Sequence, residues 1–310
     1  MYVSKNYGFS FSTEKCDIAL VDFLGSLIGV ELEYTIKSGN VRKILFDADE
    51  RYFYGVVITM KNQRSFASLI SKDGSFKVKI SNLAELEKIA EFNFFVISKL
   101  NGFGLYQYHY GACTLPNFGE TVKGRYRRHL EEKRAAALKV LGDSPSKKQL
   151  KDIGSRFFPG LQFSMLVQSR DVETVLAKYK EIRSFKYEVA SVEAAISDDS
   201  PFQGMVTKAR HEVRFDTTVD SSLIIKGIQS MISTVKDKTA RIEVMDDDDE
   251  PISVKIMDVP INFGEMAYSD FIGGLGTFNP KTIKQCSIFK SLTDKCEQEY
   301  AHVFSKKVSS

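Results

Sequence analysis

Apolar and polar positions alternate from the start of the chain: YGFSFS, residues 7–12, has the two-residue period of a strand. The period then lengthens. Ile18, Val21, Leu24 or Gly25, and Ile28 recur at three and four residues, the spacing of an amphipathic helix. The runs ELEYTIK, VRKILF and RYFYGVVITM are rich in β-branched and aromatic residues and predict strands. FASLISKDGSFKVKI sets Asp73-Gly74 between two alternating runs, a hairpin signal. NLAELEKIAEF predicts a helix. After it, FNFFVISKLNGFGLYQYHY, with Asn101-Gly102 at its centre, is the clearest hairpin in the sequence.

A helical passage follows. Asn117 with Glu120 three residues on has the form of a capping box with Asn in place of Ser or Thr, and Gly142 is suited to stop the helix. GDSPSKK is a turn-rich linker, and a short basic helix ends near FFPG. From about 160 to 246 the order is LQFSMLVQ, a helix over DVETVLAKYKEI, and FKYEVASV; then ARHEVRFDTTV, a helix over SSLIIKGIQSMIS, and ARIEVMD. Two strand–helix–strand units in tandem predict a ferredoxin-like, split βαβ sandwich. Beyond it come a strand over ISVKIMDV, a Gly-rich turn at GGLG, and a long final helix in which Ile288, Leu292, Lys295 or Cys296, and Tyr300 with Val303 form one buried stripe. The expected class is α+β. Residues 1–158 form an antiparallel β-rich domain with helices, including a basic helical segment at 117–158. Residues 159–250 form the ferredoxin-like βαββαβ domain, and 251–310 return to pack on the N-terminal domain.

Composition changes this picture little. The 310 residues carry 43 Lys and Arg against 40 Asp and Glu, a formal charge of +3, so any case for a polyanionic partner must rest on local clustering. Twenty-three Phe and thirteen Tyr with no Trp suit an aromatic-rich interior of strands. The four cysteines show no C-x-x-C pair and the histidines no paired spacing, which argues against structural zinc and for free thiols in a reducing compartment. MYVSKNYGFSFSTEK lacks the apolar run of a signal peptide. CDIALVDFLGSLIGV carries Asp17 and Asp22 and is shorter than the roughly 20 residues of a membrane span. These features predict a cytoplasmic protein with no direct membrane insertion.

The charge is concentrated in one place. Between Lys123 and Arg156 eleven Lys and Arg accompany four acids, a local net charge of +7 in a chain whose total is +3. On a helical wheel, Val122, Tyr126, Leu130, Ala137, Val140 and Leu141 share one face, with His129 and Lys133 at its margin. Arg125, Arg127, Arg128, Arg134 and Lys139 spread over the other. Glu131 and Glu132 follow Arg127 and Arg128 by four residues and can pair with them, which would make the segment simply the wet side of a helix. Lys147, Lys148 and Lys151, however, extend the charge past the linker. Clustered cations bind phosphates by releasing condensed counterions, whatever the base sequence. The candidate nucleic-acid contacts are therefore Lys123, Arg125, Arg127, Arg128, Arg134, Lys139, Lys147, Lys148 and Lys151.

Other candidates are weaker. Lys208, Arg210 and Arg214 form a second basic row on one face of a strand, diluted by Glu212. A ferredoxin-like domain suggests RNA recognition, but Phe163 shares its side with Leu161, Met165 and Val167, and no matching aromatic motif is present. The consecutive acids of MDDDDEP lack the spacing that aims carboxylates at one cation. GGLG lacks the context of a dinucleotide loop, and no nucleophile or metal motif occurs. No catalytic residue, metal or cofactor is expected.

One resemblance organises these elements. The strand and amphipathic helix at the N-terminus, the paired strands FNFFVIS and GFGLYQYHYG followed by a turn and a helix, the βα units after 160 and the final helix resemble the layout of the RexA-like phage-exclusion proteins and, more loosely, of KwaB from the Kiwa antiphage system. The resemblance covers most of the chain; the basic segment at 123–156 departs from it, and no catalytic residue carries over. It implies a homodimeric, non-enzymatic, sequence-nonspecific binder of double-stranded DNA, which senses infection and acts with a membrane protein encoded nearby. The alternatives are a subunit whose basic surface docks an acidic protein partner, and a metal-dependent nuclease with dispersed acidic ligands, Asp246 to Asp249 among them.

Overall fold

β1 (Val3–Thr13) is the strand that joins the molecule together. It pairs antiparallel with β8 (Phe103–Tyr108) on one side and with β9 (Leu161–Gln168) and the short β14 (Glu265–Ala267) on the other. The computed structural model describes the chain except residues 1–2, 14–15, 37, 64, 73–74, 85–86, 143–144, 159, 169–171, 190–208, 235–239, 247–250, 258–261 and 306–310.

Beyond β8 the sheet continues through β7 (Ala90–Ser98), β4 (Tyr52–Met60), β3 (Val41–Ala48) and β2 (Leu32–Thr35), all antiparallel. Beyond β9 lie β13 (Pro251–Met257), β12 (Ala240–Met245), β10 (Glu181–Val189) and β11 (Ala209–Arg214), with β13 parallel to β9. The result is one twelve-stranded mixed sheet, and a separate hairpin of β5 (Ser65–Lys72) and β6 (Ser75–Asn82) stands apart. The turn at 73–74 lies outside the described residues.

Both faces are covered where the aromatic residues are densest. On one face, α1 (Leu20–Gly25) and α2 (Leu115–Val140) close over Phe9, Phe11, Phe95, Tyr106 and Phe163. On the other, α6 (Tyr268–Leu275), α7 (Ser287–Asp294) and α8 (Ala301–Phe304) cover Tyr54, Val56, Phe94, Val96 and Leu105. A third core lies under α4 (Val172–Leu176) and α5 (Ser221–Thr234), and Met165 touches both this core and that of α2. α3 (Lys147–Arg156) buries only Ile153.

Several expectations are corrected. The β-α-β-β-α-β order from β9 to β12 is present, but the units do not interleave as a ferredoxin-like sandwich requires. β10 lies between β11 and β12, while both β12 and β13 separate it from β9. Residues 251–257 therefore extend the C-terminal half of the sheet, and it is the helical run after Phe263 that packs on the N-terminal strands. NLAELEKIAEF forms no helix among its described residues: Glu87 N–H closes a turn on Ala84, and Lys61 N–H donates to the Ile89 carbonyl, prolonging the sheet. α4 stops early because Lys180 N–H donates to the Met245 carbonyl and commits the chain to β10. GGLG is not a turn. Gly273 and Gly274 lie within α6, and a Cβ on Gly274 would come 2.7 Å from Ile288, so the glycine admits α7. The final helix is interrupted by a π-helical turn at Lys295–Glu299 before α8.

Two glycines of α2 test this packing with one substitution. A Cβ at Gly119 would meet the Phe163 ring at 2.4 Å, whereas Gly124 has nothing within 4 Å. Urea denaturation should find Gly119→Ala destabilised by about 1–3 kcal/mol through overpacking. Gly124→Ala should gain up to about 1 kcal/mol from helix propensity.

Candidate nucleic-acid interface

The start of α2 is held by the sheet. Tyr106 Oη donates to the Cys113 carbonyl at 2.8 Å, and the Cys113 amide donates to Asn93 Oδ1 at 3.0 Å. The cap is Thr114, whose hydroxyl oxygen accepts from the Asn117 amide at 3.5 Å, with Pro116 in the first turn. This corrects the expected cap at Asn117, and Glu120 pairs instead with Lys123. One turn later Thr121 shares a 2.8 Å hydrogen bond with Tyr34 of β2.

The apolar stripe is used only in part. Leu115, Phe118, Val122, Tyr126 and Leu130 are buried, with Tyr126 edge-on to Phe23 at 4.9 Å. No residue of α2 after Leu130 is buried; Ala137 and the capping Leu141 are half-buried and Val140 is 86% exposed. The helix runs on for about 15 Å past its last core contact, at 1.5 Å per residue. Gly142, at φ +76°, ends it, and α3 turns back under a capping box of Ser146 and Gln149. α2 beyond Leu130 and α3 together form a helical arm outside the core.

The candidate cations separate into two groups. Lys123 is tied to Glu120, and Arg125 approaches Glu132 at 3.8 Å. Arg127, Arg128, Arg134, Lys139, Lys147, Lys148 and Lys151 are exposed and form no ion pair among the described residues. The pairs anticipated from sequence, Arg127 with Glu131 and Arg128 with Glu132, do not close. Arg156, not among the candidates, reaches Asp17 at 2.6 Å, while the Asp17 amide donates to the Arg156 carbonyl at 3.0 Å. These two bonds fasten the arm's far end beside α1. Burial, with the Lys133 ammonium next, holds His129 below the ordinary histidine value.

The second basic row is neutralised where it is described. Lys208 and the Arg210 side chain lie outside the described residues. Arg214 lies 3.1 Å from Glu212, and Lys186 of β10 bridges Glu212 at 3.7 Å and Glu243 at 2.7 Å. These charges rim a recess of about 340 Å³ around Ser184, in which each cation already has a carboxylate. Of the acidic run, Asp246 is half-buried and 247–250 lie outside the described residues. Among the described residues no three His, Cys, Asp or Glu side chains gather to hold a metal.

One polar group escaped the sequence reading. His109, 5% exposed, meets Glu91 at 2.8 Å, and Lys61 meets the same carboxylate at 2.9 Å. Burial opposes its charge, but hydrogen bonds with Lys61 and His109 hold the Glu91 carboxyl below its ordinary value. Only strand register, which places Glu91 opposite Thr59 near Lys61, brings these residues together. The trio closes the end of β7 and β8, with His109 Nδ1 buried and unpaired among the described residues.

His129 gives the arm's root a pH signature. Folded His129 takes up its proton at lower pH than the unfolded chain, so its stabilising contribution is lost as pH falls through about 6.5. Thermal melts between pH 7.5 and 5.5 should therefore show a smaller acid-induced drop for His129→Gln than for the wild type. A search of protein-family models finds no match to the chain, and no curated protein is similar to it in sequence.

Proposed function

We propose that the chain is a cytoplasmic, sequence-nonspecific binder of double-stranded DNA that grips phosphates with Arg127, Arg128 and the arm formed by α2 beyond Leu130 and α3. One observation carries this reading. The cations Arg127, Arg128, Arg134, Lys139, Lys147, Lys148 and Lys151 stand exposed on α2 and α3 and form no ion pair among the described residues. A solvated helix needs no such excess, whereas clustered phosphate contacts do, and each contact releases condensed counterions. The aromatic residues of α2 face the core, so the arm has no interleaved side chains with which to read bases from a groove.

The likeness in layout to the RexA-like proteins extends the proposal to a homodimeric, non-enzymatic sensor of phage infection. Capture of DNA by the dimer would be signalled to a membrane protein encoded nearby. A separate partner suits such a signal, because no described helix is long and apolar enough to cross a membrane.

Binding to two unrelated duplexes, measured by gel shift over a salt series, tests the grip. Arg127→Glu, Arg128→Glu and Arg134→Glu combined should weaken both duplexes equally and flatten the slope of log K against log salt by about 2.7, roughly 0.9 per lost phosphate contact. Lys123→Glu should cost much less, since Glu120 already holds that ammonium. Undiminished DNA retention by the triple variant would overturn the assignment.

A further inference from the structure

The inside of the arm differs from its outer surface. A recess of about 240 Å³ opens where α2 meets the end of α3, lined by Arg127, Leu130, Glu131, Arg134 and Phe157. Leu130 is buried and Phe157 half-buried, so the recess offers an apolar floor between two arginines that form no ion pair among the described residues. Seven residues separate those arginines, two helical turns or about 10.5 Å. Phe157 caps α3, and the Arg156 guanidinium stands over its ring, 5.7 Å from the centre. Arg156 is anchored in turn by Asp17, so the ring and its cation are held in place before any ligand arrives.

We infer that this recess seats one unpaired nucleobase, so that the arm prefers DNA with a single-stranded end over a blunt duplex. The inference rests on the proposed DNA-binding function and adds a second mode of contact to it. Three features select a base over a bare phosphate. Glu131 in the wall repels an anion but can accept a hydrogen bond from an exocyclic amine, as acidic side chains do from cytosine. The Phe157 ring offers a stacking surface backed by a guanidinium, the pairing used for splayed-out bases. The volume falls below the roughly 300–1,000 Å³ of pockets that enclose a whole drug-sized ligand, and suits a single ring system. Arg127 and Arg134, on either side, then reach the phosphates flanking that base. A base inside a duplex is stacked on its neighbours and does not present its face to such a recess.

The test compares one blunt duplex with the same duplex carrying a short overhang that contains 2-aminopurine. Wild-type protein should bind the overhang form more tightly by about tenfold, the scale of one base–aromatic stack. It should quench 2-aminopurine in the overhang and leave the same probe unchanged in the duplex interior. Phe157→Leu keeps the apolar volume and removes the stacking face; it should lose the preference and the quenching while binding the blunt duplex as before. Phe157→Tyr should keep both. If the wild type shows neither preference nor quenching, or if both persist in a folded Phe157→Leu variant, the inference fails and the duplex grip stands. Absence of binding to either DNA would remove the proposed function and this inference together.

Discussion

The contact on which the arrangement depends is the seating of Phe118 and Gly119 of α2 on the aromatic face of the sheet. The Phe118 ring centre lies 4.5 Å from Phe95, 5.1 Å from Tyr106 and 5.7 Å from Phe9, and Gly119 lets Phe163 approach closer than any side chain would permit. Those partners come from β1, β7, β8 and β9, so one turn of helix is registered against four strands. Packing of this density admits little sliding. Fixing that turn fixes where the core contacts of α2 end, and hence which arginines stand beyond it.

Charge on this helix is sorted by exposure. At the root of the arm, where side chains are partly buried, Lys123 and Arg125 are matched by Glu120 and Glu132. Leaving them unmatched there would incur the desolvation of an uncompensated ion. From Arg127 onward the unmatched cations are exposed, so that penalty vanishes and the excess is tolerated. A surface of this kind stabilises the fold very little. Its electrostatic field acts on what approaches from outside.

Local patterns were legible in the sequence where a single element decides them. The alternation of YGFSFS, the hairpin around Asn101-Gly102 and the stripe Val122, Tyr126, Leu130 all depend on neighbours in the chain, and each occurs in the structure. The cap was misplaced because Asn117 and Glu120 imitate a capping box, although Thr114 with Pro116 two residues later carries the better start signal. What failed requires distant partners. Gly273 and Gly274 read as a turn until Ile288 is placed against them. The parallel pairing of β13 with β9 spans nearly ninety residues and defeats a reading by tandem units. The division of the arm's cations was hidden for a similar reason: Glu132 meets Arg125 seven residues back, across two turns, rather than Arg128 four residues back.

The arm is nevertheless not an independent appendage. Its outgoing limb is the continuation of a helix wedged in the core, and its returning limb is bound by Arg156 to Asp17, between β1 and α1. β1 in turn hydrogen-bonds to both halves of the sheet. The two limbs are thus anchored at separate places, α2 by Phe118 against Phe9 and Phe11 of β1, and α3 by Arg156 on Asp17 ahead of α1.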